Sequence, residues 1–305
     1  LDLREQLSFL YKLAQKLKAG RELVRGKPET FNRPDYTFRL VGNDGAEPDG
    51  SETVTIGTRK RGAPLDLIVA EAAIVANSTW GQMLAEHGVP GIYRSQASLA
   101  PGMKVRMSTK ALPHAGIGVK SYAWATSPLR RYVDLVNQWQ IIACARHGKT
   151  AALAAPFKPK DAELFGIISS FDTAYSAYNG YQAGMERFWT LKYLQQNQIA
   201  ALDATVIKDG RGGGDFLVRA DNLPLVLPVL GAQNLERGAR VRVQLGEIDE
   251  ITLSVNGTVT ERLDDPTDPS DDGPVDEDDD DSAVAGPIAI AVDVNEANDN
   301  ASPAP

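Results

Sequence analysis

Leucines at positions 3, 7, 10, 13 and 17 recur at helical spacing with lysines and arginines between them, which predicts an amphipathic helix over residues 3–25. Gly20 weakens it, and Gly26-Lys27-Pro28 stops it. Two strands are expected next, over 31–40 and 53–58, on either side of a loop rich in Gly, Asp and Pro. A strongly apolar helix follows from Pro64 to about Glu86, closed by His87-Gly88, and residues 89–94 are short and extended. Residues 100–126 hold several glycines and prolines and read as loops with short strands. Ser127 reads as the N-cap, and Pro128 as the first residue, of a helix running to Arg146 before Gly148. Residues 160–198 form a further long helical region, rich in Tyr and Phe.

Beyond Ile199 the period changes from helical to alternating. Short strands over 204–207, 215–218, 225–229, 240–245 and 250–255, parted by Gly/Asp turns, predict a small closed barrel of the OB type. From Asp264 the chain is Pro, Asp, Ser and Ala with little to bury, the pattern of a disordered tail. The expected fold class is therefore α+β: mixed strands and helices over 1–198, a five-stranded barrel over 199–262, and an acidic tail over 263–305.

Composition bounds this picture. Hydrophobic residues at 43% and charged residues at 24% are ordinary for a soluble chain able to build a core. No run of about 18 apolar residues exists, so no membrane span and no membrane partner is expected. The start resembles no signal peptide, and because it begins at Leu1 rather than Met the chain is expected to be a piece of something longer. The lone Cys144 excludes an internal disulfide and fits a reducing, cytoplasmic setting. With only His87, His114 and His147 beside it, no zinc site is expected.

The net charge of −8 is unevenly placed. From Leu263 onward there are 14 Asp or Glu and no Lys or Arg, so the preceding body carries +6. A basic body with an acidic tail permits an anionic polymer as partner.

The most informative stretch runs from Pro113-His114-Ala115-Gly116-Ile117-Gly118-Val119 through Tyr122-Ala123-Trp124-Ala125-Thr126-Ser127-Pro128-Leu129-Arg130-Arg131-Tyr132-Val133-Asp134-Leu135. It reads as a glycine-rich loop leading into a helix with two arginines in its first turn. A helix N-terminus already offers positive potential, so arginines there oppose the local rule unless an anion is bound. Asp134, four residues after Arg130, is placed to hold its guanidinium. Taken alone, the turn is more readily read as an ordinary capped surface helix.

The whole string closely resembles the signature of the RNB family, the catalytic domain of RNase II and RNase R type exoribonucleases. There the segment reads approximately His-x-Gly-Leu-Gly, then Tyr, then Thr-Ser-Pro-Ile-Arg-Arg-Tyr-x-Asp-Leu. Ile68-Val69-Ala70-Glu71-Ala72-Ala73-Ile74-Val75-Ala76-Asn77 and Gly91-Ile92-Tyr93-Arg94 resemble two further family segments in the right order. The expected barrel is similar to the family's C-terminal RNA-binding OB fold.

The resemblance implies hydrolysis of single-stranded RNA from its 3′ end to nucleoside 5′-monophosphates, with magnesium held by an aspartate cluster. Carried over by position, Arg130 is the catalytic candidate, contacting the scissile phosphate. Glu71, Tyr93, Arg94, His114, Tyr122, Thr126, Ser127 and Arg131 are the RNA-binding candidates. For Glu71 an exposed helix carboxylate is an equal reading. For His114, Tyr122 and Thr126, packing in the core or loops is at least as good a reading as RNA contact, and for Tyr93 it is the favoured one. Helical spacing of Tyr175, Tyr178, Tyr181, Phe188, Trp189 and Tyr193 points to packing, not base stacking. Lys208, Arg211, Arg219, Arg240 and Arg242 give the barrel a basic surface suited to RNA backbone, with a solvated barrel face as a close alternative.

The family's aspartate cluster lies upstream of every segment matched here. No Asp-x-Asp-Asp run occurs before Asp264, and the run Asp278–Asp281 reads as a solvating block, so the magnesium ligands are expected outside this chain and the chain alone is expected to be inactive. Gln138-Trp139 stands where many relatives carry a His-Arg pair, and Trp139 shares a stripe with Tyr132, Val136 and Ala143 that points to packing. Two other readings stay open: a non-catalytic RNA-binding protein on the same scaffold, and a scaffolding protein whose acidic tail recruits a basic partner.

Overall fold

Helix α1 spans Arg4–Arg25, and its N–H-bonded cap is Gly26, whose φ of 81° is the left-handed conformation that glycine adopts without a Cβ penalty. The computed structural model describes residues 3–29, 34–42, 50–59, 62–100, 103–209, 215–233, 235–263 and 289–290. Residues 31–33 of the first expected strand, Arg211, Asp278–Asp281 and most of the expected acidic tail lie outside them. Strands β1 (Asp35–Val41) and β2 (Thr53–Arg59) pair as an antiparallel hairpin. Helix α2 (Pro64–Glu86) begins with Pro64 in its first turn, where no donor is lost.

Two short antiparallel strands follow, β3 (Tyr93–Ser95) and β4 (Arg106–Ser108). Helix α3 covers Tyr132–His147, and a short 3₁₀ turn leads into α4 (Ala151–Ala154). Helix α5 (Ala162–Gln196) runs for 35 residues and is capped by Asp161, whose side chain accepts from Glu163 N at 2.9 Å.

Strands β5 (Ala201–Asp209), β6 (Phe216–Ala220), β7 (Val226–Leu230), β8 (Arg240–Asp249) and β9 (Ser254–Arg262) close into a barrel in the order β5-β6-β7-β9-β8. Alternate side chains Ala204, Val206, Val218, Leu227, Val241 and Val243 fill its interior, joined by Leu191 and Leu194 from the end of α5. The expected fifth strand, 250–255, is displaced. Asp249 accepts from Ile251 N at 2.8 Å and Thr252 N at 3.1 Å, and the local turn so formed ends β8 and delays β9 to Ser254. Strand β10 (Ala289–Ile290) pairs parallel with β4, an element the composition of the tail did not predict.

The long α5 ties the parts together. Arg187 donates to Leu253 O at 2.5 Å and Val226 O at 2.7 Å at the barrel, and burial lowers its pKa. At the helix end, Gln196 bonds Glu52 O and Val54 N, fixing the β1–β2 hairpin. Phe171 and Tyr175 pack around Trp124, whereas Tyr178 and Tyr181 are exposed, so the aromatic series splits between core and surface. The leucine stripe of α1 is only partly covered: Leu3, Leu7, Leu10 and Leu13 are 38–53% exposed.

Candidate nucleic-acid interface

Ser127 does not cap α3. Its carbonyl accepts from Arg130 N at 3.2 Å and Arg131 N at 3.0 Å, making a separate turn, and Arg131 is extended, with φ −126° and ψ 114°. The helix proper starts at Tyr132. The cause is Asp134, whose carboxylate accepts from Ser127 N at 2.8 Å and from Arg131 Nε and Nη2 at 2.9 Å each. Asp134 therefore holds Arg131, not Arg130 as the sequence spacing suggested. It is fully buried, so this forked pair does most of its work out of water.

Arg131 also lies over the Trp124 ring, 3.9 Å from its centroid, and Arg94 lies over the same ring at 4.0 Å. A desolvated cation on a Trp face is stabilised by about 2 kcal/mol. Trp124 in turn meets Phe171 and Tyr175 edge-on, so the base of the turn is anchored on α5.

The strand-like segment before the turn is fastened by amides. Asn77 of α2 donates to Tyr122 Oη and Thr126 Oγ1 and accepts from Ala125 N. Asn137 of α3 accepts from Ile92 N and donates to Ile92 O and Trp124 O. Gln138 donates to Ala125 O, and Gln140 reaches Pro90 O and both backbone groups of Phe157. Asp134, Asn137 and Gln140 thus form one buried polar stripe on α3, each satisfied by loop backbone or Arg131.

The glycine loop is built against α1. Gly118 has φ +78°, and a Cβ there would lie 2.4 Å from Arg21 O. The Arg21 side chain donates to Ile117 O at 2.5 Å, to Glu29 at 2.8 Å and to both oxygens of Glu71. Burial works against the Arg21 charge, but Glu71 and Glu29 more than offset it and raise its pKa. His114 is buried in this loop, with Nδ1 accepting from Ile117 N at 3.2 Å and its ring edge-on to Tyr122 at 5.9 Å.

Of the sequence candidates, Glu71, Tyr93, Arg94, His114, Tyr122 and Arg131 are all buried. Tyr93 donates to Gly81 O at 3.1 Å, and burial raises its pKa. These six lie beneath the surface of the turn rather than on it. Glu71 is neither an exposed helix carboxylate nor open to a ligand, because Arg21 occupies it. Ser127 is half-buried, while Thr126 and Arg130 are exposed. The Arg130 side chain has no hydrogen bond or ion pair among the described residues.

Residues 102–147, which hold the glycine loop, the Arg130 turn and all of α3, match the RNB domain. Over these residues the chain is similar to the RNB family. An uncharacterized ribonuclease of Synechocystis is 26% identical over 60% of this chain and 30% of its own length. The Dss1 exoribonuclease of Candida glabrata, solved as an active-site mutant, superposes with a TM-score of 0.61 at 19% identity, covering 84% of this chain and 35% of that one. Mycoplasma genitalium RNase R, solved with ribose-methylated single-stranded RNA, gives 0.57 at 15% identity, covering 84% of this chain and 49% of that one. The chain therefore spans half or less of each of these relatives.

Sequence reasoning missed Arg21, Trp124 and Asn137. A signal existed for the first: Glu71 interrupts an apolar helix, and a carboxylate there needs a cation. The site contains no metal centre among the described residues, where no three His, Cys, Asp or Glu side chains come together. The described residues do not fit a magnesium site. A cavity of about 690 Å³ opens elsewhere, between α1, the β1–β2 hairpin and α2, with Arg59 on its wall paired to Asp35 and Asp66. On the barrel, Arg240 pairs with Asp221 and Arg242 with Asp203, which leaves exposed Lys208 as a less compensated charge.

Proposed function

We propose that this chain forms the RNA-gripping part of a 3′-to-5′ exoribonuclease, with Arg130 as the group that takes a backbone phosphate near the 3′ end of single-stranded RNA. One observation carries the reading: of two adjacent arginines, Arg131 is locked by Asp134 and Trp124, and Arg130 faces solvent with its guanidinium uncommitted. A rigid turn that offers a cation reduces the ordering cost when an anion binds. A guanidinium there can make two parallel hydrogen bonds to one phosphate and offset charge that builds up on it during cleavage.

Magnesium would supply activated water and charge neutralisation in this reaction, and its ligands would come from outside the described residues. The chain alone is then expected to hold RNA without cutting it. That expectation is shared by a second reading, a non-catalytic RNA-binding protein on the same scaffold.

The test is incubation of the chain with 5′-labelled single-stranded RNA and magnesium, followed on denaturing and native gels. Intact RNA with a retarded native band agrees with both readings of a grip without its own metal site. A ladder shortening from the 3′ end, lost in Arg130→Ala, would support the enzyme and overturn the expectation of inactivity. RNA neither shortened nor retarded sinks the proposal.

A further inference from the structure

The turn that carries Arg130 carries two further exposed side chains of a different character. Leu129 is 103% exposed, the highest value among the large apolar residues described, and Tyr132, at the first position of α3, is 50% exposed. Single exposed apolar residues are common and mean little on mobile surface. This turn is not of that kind: two backbone bonds to Ser127 O, the Asp134 carboxylate and the Trp124 ring beneath Arg131 fix it from below. The Tyr132 ring is itself held edge-on to Trp139 at 6.2 Å.

We infer that Leu129 and Tyr132 contact the base and ribose of the nucleotide whose phosphate Arg130 takes. A cation flanked by an apolar side chain and an aromatic ring is the combination that binds single-stranded nucleic acid, the cation on the backbone and the ring on the base face. Leucine supplies apolar contact, as inserted apolar side chains do against unstacked bases. The inference rests on the proposed RNA grip and adds to it a contact that carries no charge.

That difference makes the two separable by salt. Each phosphate contact on a single strand steepens the dependence of log affinity on log salt by about 0.7, whereas an apolar contact leaves the slope alone. The experiment measures the affinity of the full chain for a short single-stranded oligoadenylate, and for the same strand with its 3′-terminal bases removed, across a salt series. Leu129→Ser and Tyr132→Ala are expected to weaken binding to the intact strand about fivefold each, with unchanged slope and much less effect on the abasic strand. Arg130→Ala is expected to flatten the slope for both strands.

Unchanged affinity in both Leu129→Ser and Tyr132→Ala, while Arg130→Ala flattens the slope, overturns this inference and leaves the RNA grip standing. A protein-docking role for Leu129 would give that same result. A flattened slope in Leu129→Ser means that the variant acts by displacing Arg130, which also overturns it. No measurable binding by the parent chain removes the grip and the inference with it. Leu129 is wholly exposed, so equal thermal melting of its variant is the control for folding.

Discussion

Asp134 grips Arg131 through two 2.9 Å hydrogen bonds and thereby leaves Arg130 as the exposed member of the pair. The same carboxylate takes the Ser127 N–H, so one buried side chain sets both ends of the turn. Removing it in Asp134→Ala leaves a buried guanidinium without its carboxylate, and a loss of about 3–5 kcal/mol in unfolding free energy is expected. Arg130→Ala removes no side-chain hydrogen bond or ion pair among the described residues and is expected to change stability by less than about 0.5 kcal/mol. Urea unfolding of the two variants checks this contrast.

Gly118 and Gly26 offer a comparison at similar φ. Both have positive φ, +78° and +81°, but a Cβ would meet Arg21 O at 2.4 Å at Gly118 and nothing within 4 Å at Gly26. Gly26→Ala is expected to cost about 1 kcal/mol from backbone strain alone, and Gly118→Ala distinctly more, because α1 and the loop must also separate. Thermal melts of the two variants measure the difference.

Arg21 and Glu71 join α1, α2 and the glycine loop. Either Arg21→Met or Glu71→Met leaves a buried charge short of its partner and is expected to destabilise the chain by about 3 kcal/mol. The double variant is expected to cost clearly less than the sum, with a coupling of about 1–3 kcal/mol in a double-mutant cycle. Additive losses would mean the two act separately.

Burial raises the pKa of Tyr93 in the folded chain above its ordinary value of 10.0. The unfolded chain ionises first as pH rises, so this group's stabilising contribution is fully present below pH 10 and is lost progressively above it. Tyr93→Phe is expected to flatten the alkaline decline in stability while lowering stability at neutral pH, where the bond to Gly81 O is missing. Urea midpoints between neutral pH and pH 11 follow both effects.

The helices α2 and α5 and most of the barrel were legible in the sequence because periodicity reports burial directly. Boundaries set by a single side chain were not. Ser127-Pro128 is a sound local signal for a helix start, but Asp134 spends its carboxylate on Arg131 and Ser127 N and pulls the start to Tyr132. Asp249 shifts the β8–β9 boundary in the same way. At the site, the resemblance picked out segments without separating residues exposed at the surface from residues buried beneath it. That distinction depends on partners far apart in the chain: Arg21 for Glu71, Gly81 for Tyr93, Trp124 for Arg94.

The most direct test of the account is nitrogen-15 spectroscopy of the arginine Nε–H groups, assigned with Arg130→Lys and Arg131→Lys, before and after addition of single-stranded RNA. In the free chain Arg131 Nε–H should exchange slowly with water and Arg130 Nε–H rapidly. RNA should slow the exchange and shift the resonance of Arg130 while leaving Arg131 in place. An RNA-induced shift at Arg131 with none at Arg130 would contradict the account, because it would make the buried arginine the one that meets the phosphate.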